Sequence, residues 1–222
     1  ETYQSDMRFD EIQPPWTEGD ELGSFVLIKF LGKGSSGFVY RAFDQNSQRH
    51  CALKLLLPAK YEDLIRNKLG FRRMSSLRHP GLLHVDRIYQ LDRYTAFSME
   101  EIEGMTLDRW RQSLLQSLRV EPSGRLSDNL ADRISGAYQQ LLDLTRQYAA
   151  AWAMMHSHGL VHRDIKPQNL MVDANGHGRV IDYGLVGTIN LENDPMGFRD
   201  YLVGPQHYFA PETLWDQFYL PA

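Results

Sequence analysis

A chain of 222 residues, 42% hydrophobic and 23% charged, has the size for one large domain or two small lobes and the composition of an ordinary globular protein. Its formal net charge of -4 offers no electrostatic ground for nucleic-acid binding. No apolar run reaches the roughly 18 residues of a membrane span, and the single cysteine, Cys51, excludes an intrachain disulfide.

The chain begins ETYQSDMRFDEIQPPWTEGDEL, an acidic and polar stretch without the basic and apolar regions of a secretory signal, so a cytoplasmic location is expected. Ser24 to Phe30 is a β-branched and aromatic run leading to Gly32, Gly34 and Gly37 at GxGxxG spacing. In a dinucleotide-binding unit that spacing opens a helix, but here Phe38 to Ala42 continues as strand, which predicts a hairpin with a glycine-rich tip. Such a tip lets backbone N–H groups approach phosphate oxygens, although a plain flexible hairpin fits the spacing equally well at this point. The next strand, from Cys51 to Leu57, sets Lys54 in an apolar run, where an ammonium needs an anionic partner or a path to water. Cys51 beside it reads as a buried, inert thiol.

Residues 61 to 78 have helical spacing at Leu64, Ile65, Leu69 and Met74 and stop before His79-Pro80. Strands from Leu82 to Leu91 and Tyr94 to Met99 lead to the polar break Glu100-Glu101-Ile102-Glu103-Gly104, read as a lobe boundary. Beyond it the pattern is helical: Leu107 to Leu118, a loop at Glu121-Pro-Ser-Gly, then a long helix capped near Ser127 or Asp128 and stopped by Gly159. Its stripe of Leu130, Ile134, Tyr138, Leu141, Leu142, Tyr148, Trp152 and Met155 is read as core.

Residues 161 to 185, VHRDIKPQNLMVDANGHGRVIDYGL, carry the chemistry. Leu160-Val161 and Leu170 to Val172 are short strands flanking a loop, Asp173-Ala-Asn-Gly is a turn, and Arg179 to Ile181 is a strand ending at Asp182. Phosphoryl transfer needs a carboxylate to orient the attacking hydroxyl, a cation to offset charge on the transferred group, and oxygen ligands for Mg2+. Asp164, Lys166, and Asn169 with Asp182 match those needs. A polar loop with internal salt bridges is the plainer reading, but it leaves the spacing, the glycine hairpin and the strand lysine as coincidences.

With these motifs in this order, the chain resembles the eukaryotic-type Ser/Thr protein kinases, in the form found in bacteria, over about residues 23 to 220. LGKGSSGFV matches the glycine-rich loop, CALK the strand with the ATP-binding lysine, SMEEIEG the hinge and HRDIKPQN the catalytic loop. IDYGL stands for the family's DFG with Tyr183 in place of Phe, and YFAPE at 208–212 closes the activation segment. The resemblance implies an α+β, bilobal kinase fold: an acidic N-terminal tail over residues 1–22, an antiparallel β-rich N-lobe over 23–101, and a mainly helical, incomplete C-lobe over 102–222. It implies truncation after the APE motif, with further domains beyond residue 222. ATP and Mg2+ would be the cofactors and protein Ser/Thr hydroxyls the substrate, those of the chain itself among the candidates, with no nucleic-acid or membrane partner. Asp164 would be the catalytic base, supported by Lys166 and Lys54. Leu31, Gly32, Gly34, Ser35, Gly37, Val39, Ala52, Lys54, Met99, Glu100, Ile102 and Met171 would hold the nucleotide, and Asn169 and Asp182 the metal.

Two departures stand out. The family's glutamate, nine residues before the His of the HP motif, is here Gly70, and restoring a glutamate there is expected to raise activity. GPQHYFAPE lacks the threonine that contacts the catalytic Asp and Lys in Ser/Thr kinases. Between Asp182 and Glu212 the only hydroxyl candidates for self-activation are Tyr183, Thr188, Tyr201 and Tyr208. These departures support an alternative, a pseudokinase that binds nucleotide or scaffolds with little turnover. A small-molecule phosphotransferase would share the catalytic Asp and Asn, but HRDIKP with APE speaks for protein substrates.

Overall fold

The β-branched and aromatic runs of the first hundred residues pair into one antiparallel sheet of six strands. The computed structural model describes residues 14–34, 36–56, 61–91, 94–118, 130–189 and 206–208. These form two units: the described residues up to Ile65 with Val85–Glu101, and those of Arg66–His84 with Ile102 onward.

In the first unit the strands are β1 (Glu21–Leu22), β2 (Phe25–Gly34), β3 (Gly37–Asp44), β4 (Arg49–Leu56), β5 (Val85–Leu91) and β6 (Tyr94–Met99), in the order β1-β2-β3-β4-β6-β5. Directly opposed residues of an antiparallel pair share a face. The register Tyr40↔Leu53, Phe38↔Leu55 and Leu55↔Ala96 therefore gathers the buried cluster Phe25, Leu27, Phe38, Tyr40, Ala42, Leu53, Leu55 and Ala96 on one side. The segment set apart as an acidic tail joins this unit from residue 14. Trp16 stacks edge-on against Tyr94, centroids 4.5 Å apart, and its carbonyl accepts the Tyr40 hydroxyl at 3.1 Å. A turn closed by Asp20, which accepts Thr17 N at 2.7 Å, then feeds β1. Cys51 is half-buried, and burial pushes its thiol up to about 11, which keeps it protonated and inert as expected.

Helix α1 (Tyr61–Met74) ends four residues earlier than predicted. Ser75 N donates to Phe71 O, Ser75 Oγ to Arg72 O and Leu77 N to Met74 O, so three of the last four carbonyls are satisfied without a further turn. In the second unit β7 (Gly104–Thr106) is a short strand that starts at the last residue of the predicted polar break; it pairs with β9 (Leu170–Asp173), which in turn pairs with β10 (Gly178–Val180). The other elements are α2 (Leu107–Ser117), α3 (Leu130–Ser157), β8 (Leu160–Val161) and β11 (Gly187–Thr188). α2 is N-capped by Thr106, whose hydroxyl accepts Arg109 N.

The long stripe of α3 is core in only part of its length. Tyr148 and Met155 are buried with Ala137, Leu144 and Ala151, but Ile134, Tyr138 and Leu141 are exposed. Periodicity places a face on a helix without supplying the neighbour that covers it, and among the described residues nothing covers these three. The predicted cap at Ser127 or Asp128 and the loop at 121–124 lie outside the described residues.

Candidate active site

The nucleotide-binding and catalytic residues expected from the sequence fall into two sets, one in each unit. In the first unit the register Gly32↔Val39, Val39↔Lys54, Arg41↔Ala52 and Ala52↔Met99 puts Gly32, Val39, Ala52, Lys54 and Met99 on one face of the sheet, opposite the apolar cluster. Lys54, Ala52 and Met99 are buried there and Val39 half-buried. Gly32 has no atom within 4 Å of where a Cβ would stand, and Gly34 only Gly37 O at 3.9 Å, so the backbone at the hairpin tip is open to a ligand.

Two more of the expected nucleotide contacts, Leu31 and Gly37, lie in the same hairpin. Leu31 sits in a bulge between Phe30 and Gly32 and is 45% exposed. Gly37 is buried, and a Cβ there would overlap the Leu55 carbonyl oxygen, so its missing side chain serves strand packing. Glu100 is half-buried at the end of this unit. Ser35 lies outside the described residues.

The second set is built by the loop after β8. Pro167 holds Lys166 extended and starts a single 3-10 turn, Pro167–Asn169, closed by Asn169 N on Lys166 O at 2.9 Å. That turn swings the Asn169 side chain back onto Asp164, where Nδ2 donates to the main-chain O at 2.8 Å and to Oδ2 at 2.7 Å. Lys166 Nζ lies 2.9 Å from the same Oδ2. One carboxylate oxygen thus takes two donors, while Asp164 Oδ1 is buried and takes no hydrogen bond among the described residues. Ile102 and Met171 belong to this unit and are half-buried. The main-chain O of Met171 accepts the Tyr148 hydroxyl at 2.9 Å.

Asp182 is stitched to this loop through its neighbour: Ile181 N donates to Asn169 O at 2.9 Å, and Ile181 O lies 3.1 Å from His162 Nε2. Asp182 and Arg163 are non-glycine residues in the left-handed region, at φ 62° and 64°. Such conformations cost energy and persist where surrounding structure holds them, commonly at functional sites. Asn169 commits Nδ2 to Asp164, and its amide oxygen and the Asp182 carboxylate would be the hard-oxygen donors for a bound Mg2+. Among the described residues no three His, Cys, Asp or Glu groups cluster as a metal cage. A two-oxygen site still suits an ion that keeps several waters and takes phosphate oxygens.

The model of the protein kinase domain family matches residues 25–222. The chain belongs to this family. The Ser/Thr-protein kinase PknD of Chlamydia pneumoniae is 31% identical over 212 residues, 86% of this chain but 21% of PknD. CBL-interacting protein kinase 1 of Oryza sativa subsp. japonica is 28% identical over 215 residues, 94% of this chain and 42% of that protein. Ser/Thr-protein kinase PrkC of Bacillus subtilis is 29% identical over 196 residues, 86% of this chain and 26% of PrkC. The chain thus spans between about a fifth and two fifths of the length of these relatives. Among solved structures, PpkA-294 in its apo form and the PknI kinase domain of Mycobacterium tuberculosis each align with a TM-score of 0.59, at 20% and 22% identity. They cover 76% and 77% of this chain, which spans 61% and 63% of theirs, and they show the kinase fold.

The kinase domain holds its catalytic loop with side chains to which the motif reading gave no structural role. His162 is fully buried, and Asp164 N donates to its Nδ1 at 3.3 Å. Nδ1 as acceptor requires the neutral Nε2–H tautomer, which then donates to Ile181 O. Burial pushes its pKa below the ordinary 6.5, with the Ile181 bond and the nearby Asp182 and Asp164 opposing. The unfolded chain therefore binds this proton more readily, and stability is lost as pH falls below about 6.5, by up to about 1.4 kcal/mol per pH unit for one proton. Urea unfolding between pH 7.5 and 5 should show this slope, reduced in His162→Gln. Equal slopes for variant and parent would remove His162 as the cause.

Tyr183, a tolerated replacement on sequence grounds, is an anchor. It is 2% exposed, and its hydroxyl lies 3.0 Å from both the Leu83 and Val180 carbonyl oxygens. Tyr183→Phe restores the family's residue but removes the donor from buried carbonyls, and should cost about 1–2 kcal/mol in urea unfolding. A loss below a few tenths would show that the hydroxyl contributes nothing net. Composition carries the one sequence signal for Trp16, a bulky aromatic in an otherwise polar stretch. His162 lies in the HRD motif and Gly70 at the family's glutamate position, but neither motif states a role that depends on Ile181 or Tyr183, far along the chain.

Proposed function

We propose that the chain is the kinase domain of an ATP- and Mg2+-dependent protein kinase that transfers the γ-phosphoryl group to Ser or Thr hydroxyls. The observation that carries this reading is the asymmetry of Asp164: Oδ2 is occupied by Lys166 and Asn169, and Oδ1 is a buried acceptor with no partner among the described residues. Such an acceptor takes the hydrogen bond of an incoming hydroxyl and orients its oxygen for attack. Lys166, 23% exposed at its side chain, keeps a positive charge beside that oxygen and toward a transferring phosphoryl group. Asn169 and Asp182 would hold Mg2+, which when bound neutralises charge building on the phosphate oxygens. In the first unit, Lys54 supplies a cation to the nucleotide phosphates, the backbone at Gly32 and Gly34 covers them, and Val39, Ala52 and Met99 offer an apolar face to the adenine.

A tail over 1–22, an N-lobe over 23–101 and a C-lobe over 102–222 remain our reading of the division; by contacts among the described residues, residues 14–22 group with the first unit and Arg66–His84 with the second. The GPQHYFAPE segment, Tyr201 and the end of the activation segment lie almost entirely outside the described residues. The intact carboxylate, lysine and amide favour catalysis over the pseudokinase alternative. No helix among the described residues is long and apolar enough to cross a membrane.

Transfer of radiolabelled γ-phosphate from ATP to the chain itself and to a generic protein substrate, with and without Mg2+, tests the reading. Mg2+-dependent label on Ser or Thr is expected. No incorporation above an Asp164→Asn control would leave the domain a pseudokinase.

A further inference from the structure

Helix α1 carries glycine where the family pattern has glutamate, and the surroundings of that glycine leave no room for a side chain. Gly70 is buried, and a Cβ built on it would overlap the carbonyl oxygen of Tyr183, with the carbonyl carbon at 3.2 Å and Val186 N at 3.6 Å. These are backbone atoms, which cannot swing aside as the end of a side chain can. Asn67 and Arg73 lie one helical turn to either side, on the same face at i, i+3 spacing. A Cβ on Gly184 would meet Asn67 Oδ1 at 2.8 Å, and Arg73 Nη1 donates to Val186 O at 2.9 Å. Three successive turns of α1 therefore lie along residues 183–186, the segment that follows Asp182. From its other end Tyr183 is tied through its hydroxyl to Leu83 and Val180.

We propose that Gly70 is a positioning residue for the metal-binding carboxylate. By admitting the backbone of α1 into contact with Tyr183, it fixes the residue next to Asp182 and so holds the left-handed backbone that aims the Asp182 side chain. The proposal rests on the reading of Asp182 as a metal ligand. Where the family uses a glutamate on this helix, the present chain uses a side-chain-free contact between helix and DYG backbone. The expectation that Gly70→Glu raises activity is therefore reversed: any side chain at 70 must lift α1 off Tyr183 and disturb Asp182.

Titration calorimetry of the full chain with a non-hydrolysable ATP analogue, with and without Mg2+, tests this. In the parent Mg2+ should tighten binding. In Gly70→Ala that enhancement should fall by at least about tenfold, with Mg2+-free affinity held within about threefold. Loss of general stability alone would weaken both equally. Arg73→Gln adds no bulk and should lower the enhancement by about two- to threefold, so it decides the matter if Gly70→Ala fails to fold by near-UV circular dichroism. Full Mg2+ enhancement in a folded Gly70→Ala protein overturns the proposal, as does an unchanged Arg73→Gln where the glycine variant does not fold. A parent with no Mg2+ enhancement overturns the metal reading of Asp182 and this proposal with it.

Discussion

Asp164→Asn should lower γ-phosphoryl transfer by about 10³-fold or more while leaving nucleotide affinity within a few-fold, the loss expected for removing a positioned acid–base group. The size follows from which oxygen the substitution spares. Both partners of Asp164 Oδ2, Lys166 Nζ and Asn169 Nδ2, are donors, so the asparagine must turn its carbonyl oxygen toward them. Its amide NH2 then stands where Oδ1 stood, and a donor replaces the acceptor that receives the hydroxyl proton. Nucleotide contacts expected at Gly32, Val39, Ala52 and Met99 are untouched, which separates this variant from one that disrupts ATP binding. Label transfer and analogue titration on the same preparation check both halves. A variant retaining more than a tenth of parental transfer would remove Asp164 from the reaction.

The second large effect concerns Gly37→Ala. A Cβ at this position would overlap Leu55 O and come within 2.9 Å of Leu55 C and 3.0 Å of Leu56 Cα, all backbone atoms of β4. Gly37 pairs with Leu56 in the ladder, so relief requires β3 and β4 to part at the end of β4 that carries Lys54. Overpacking of this kind costs about 2–3 kcal/mol, enough to lower the melting temperature by roughly 5–10 °C. Gly32→Ala is the contrast, because nothing lies within 4 Å of its Cβ position. It should melt with the parent and weaken nucleotide binding only. If the two variants melt alike, the third glycine of the motif has no packing role and the contact with Leu55 is relieved without cost.

The sequence by itself determined those parts of the protein whose partners are close along the chain. In HRDIKPQN Asp164, Lys166 and Asn169 lie within six positions, and the turn that starts at Pro167 brings Asn169 back onto Asp164, so residue types and spacing pointed to this cluster before any fold was known. The strand and helix order was legible for the same reason, since periods of two and 3.6 residues are local properties. The tertiary structure alone decided which absences matter. Gly70 read as a lost carboxylate because its counterpart, the Tyr183 carbonyl, is more than a hundred residues away and leaves no mark on the helix sequence. The motif names three glycines alike, and only the strand pairing shows that the Cβ position of one of them, Gly37, meets the Leu55 backbone. Trp16 read as part of a tail until Tyr40 and Tyr94 supplied a surface for it, and Ile134, Tyr138 and Leu141 read as core on a helix face that the described residues leave exposed. Side-chain chemistry is written residue by residue, whereas close packing is a property of pairs brought together from distant parts of the chain, and that is where local reading stops.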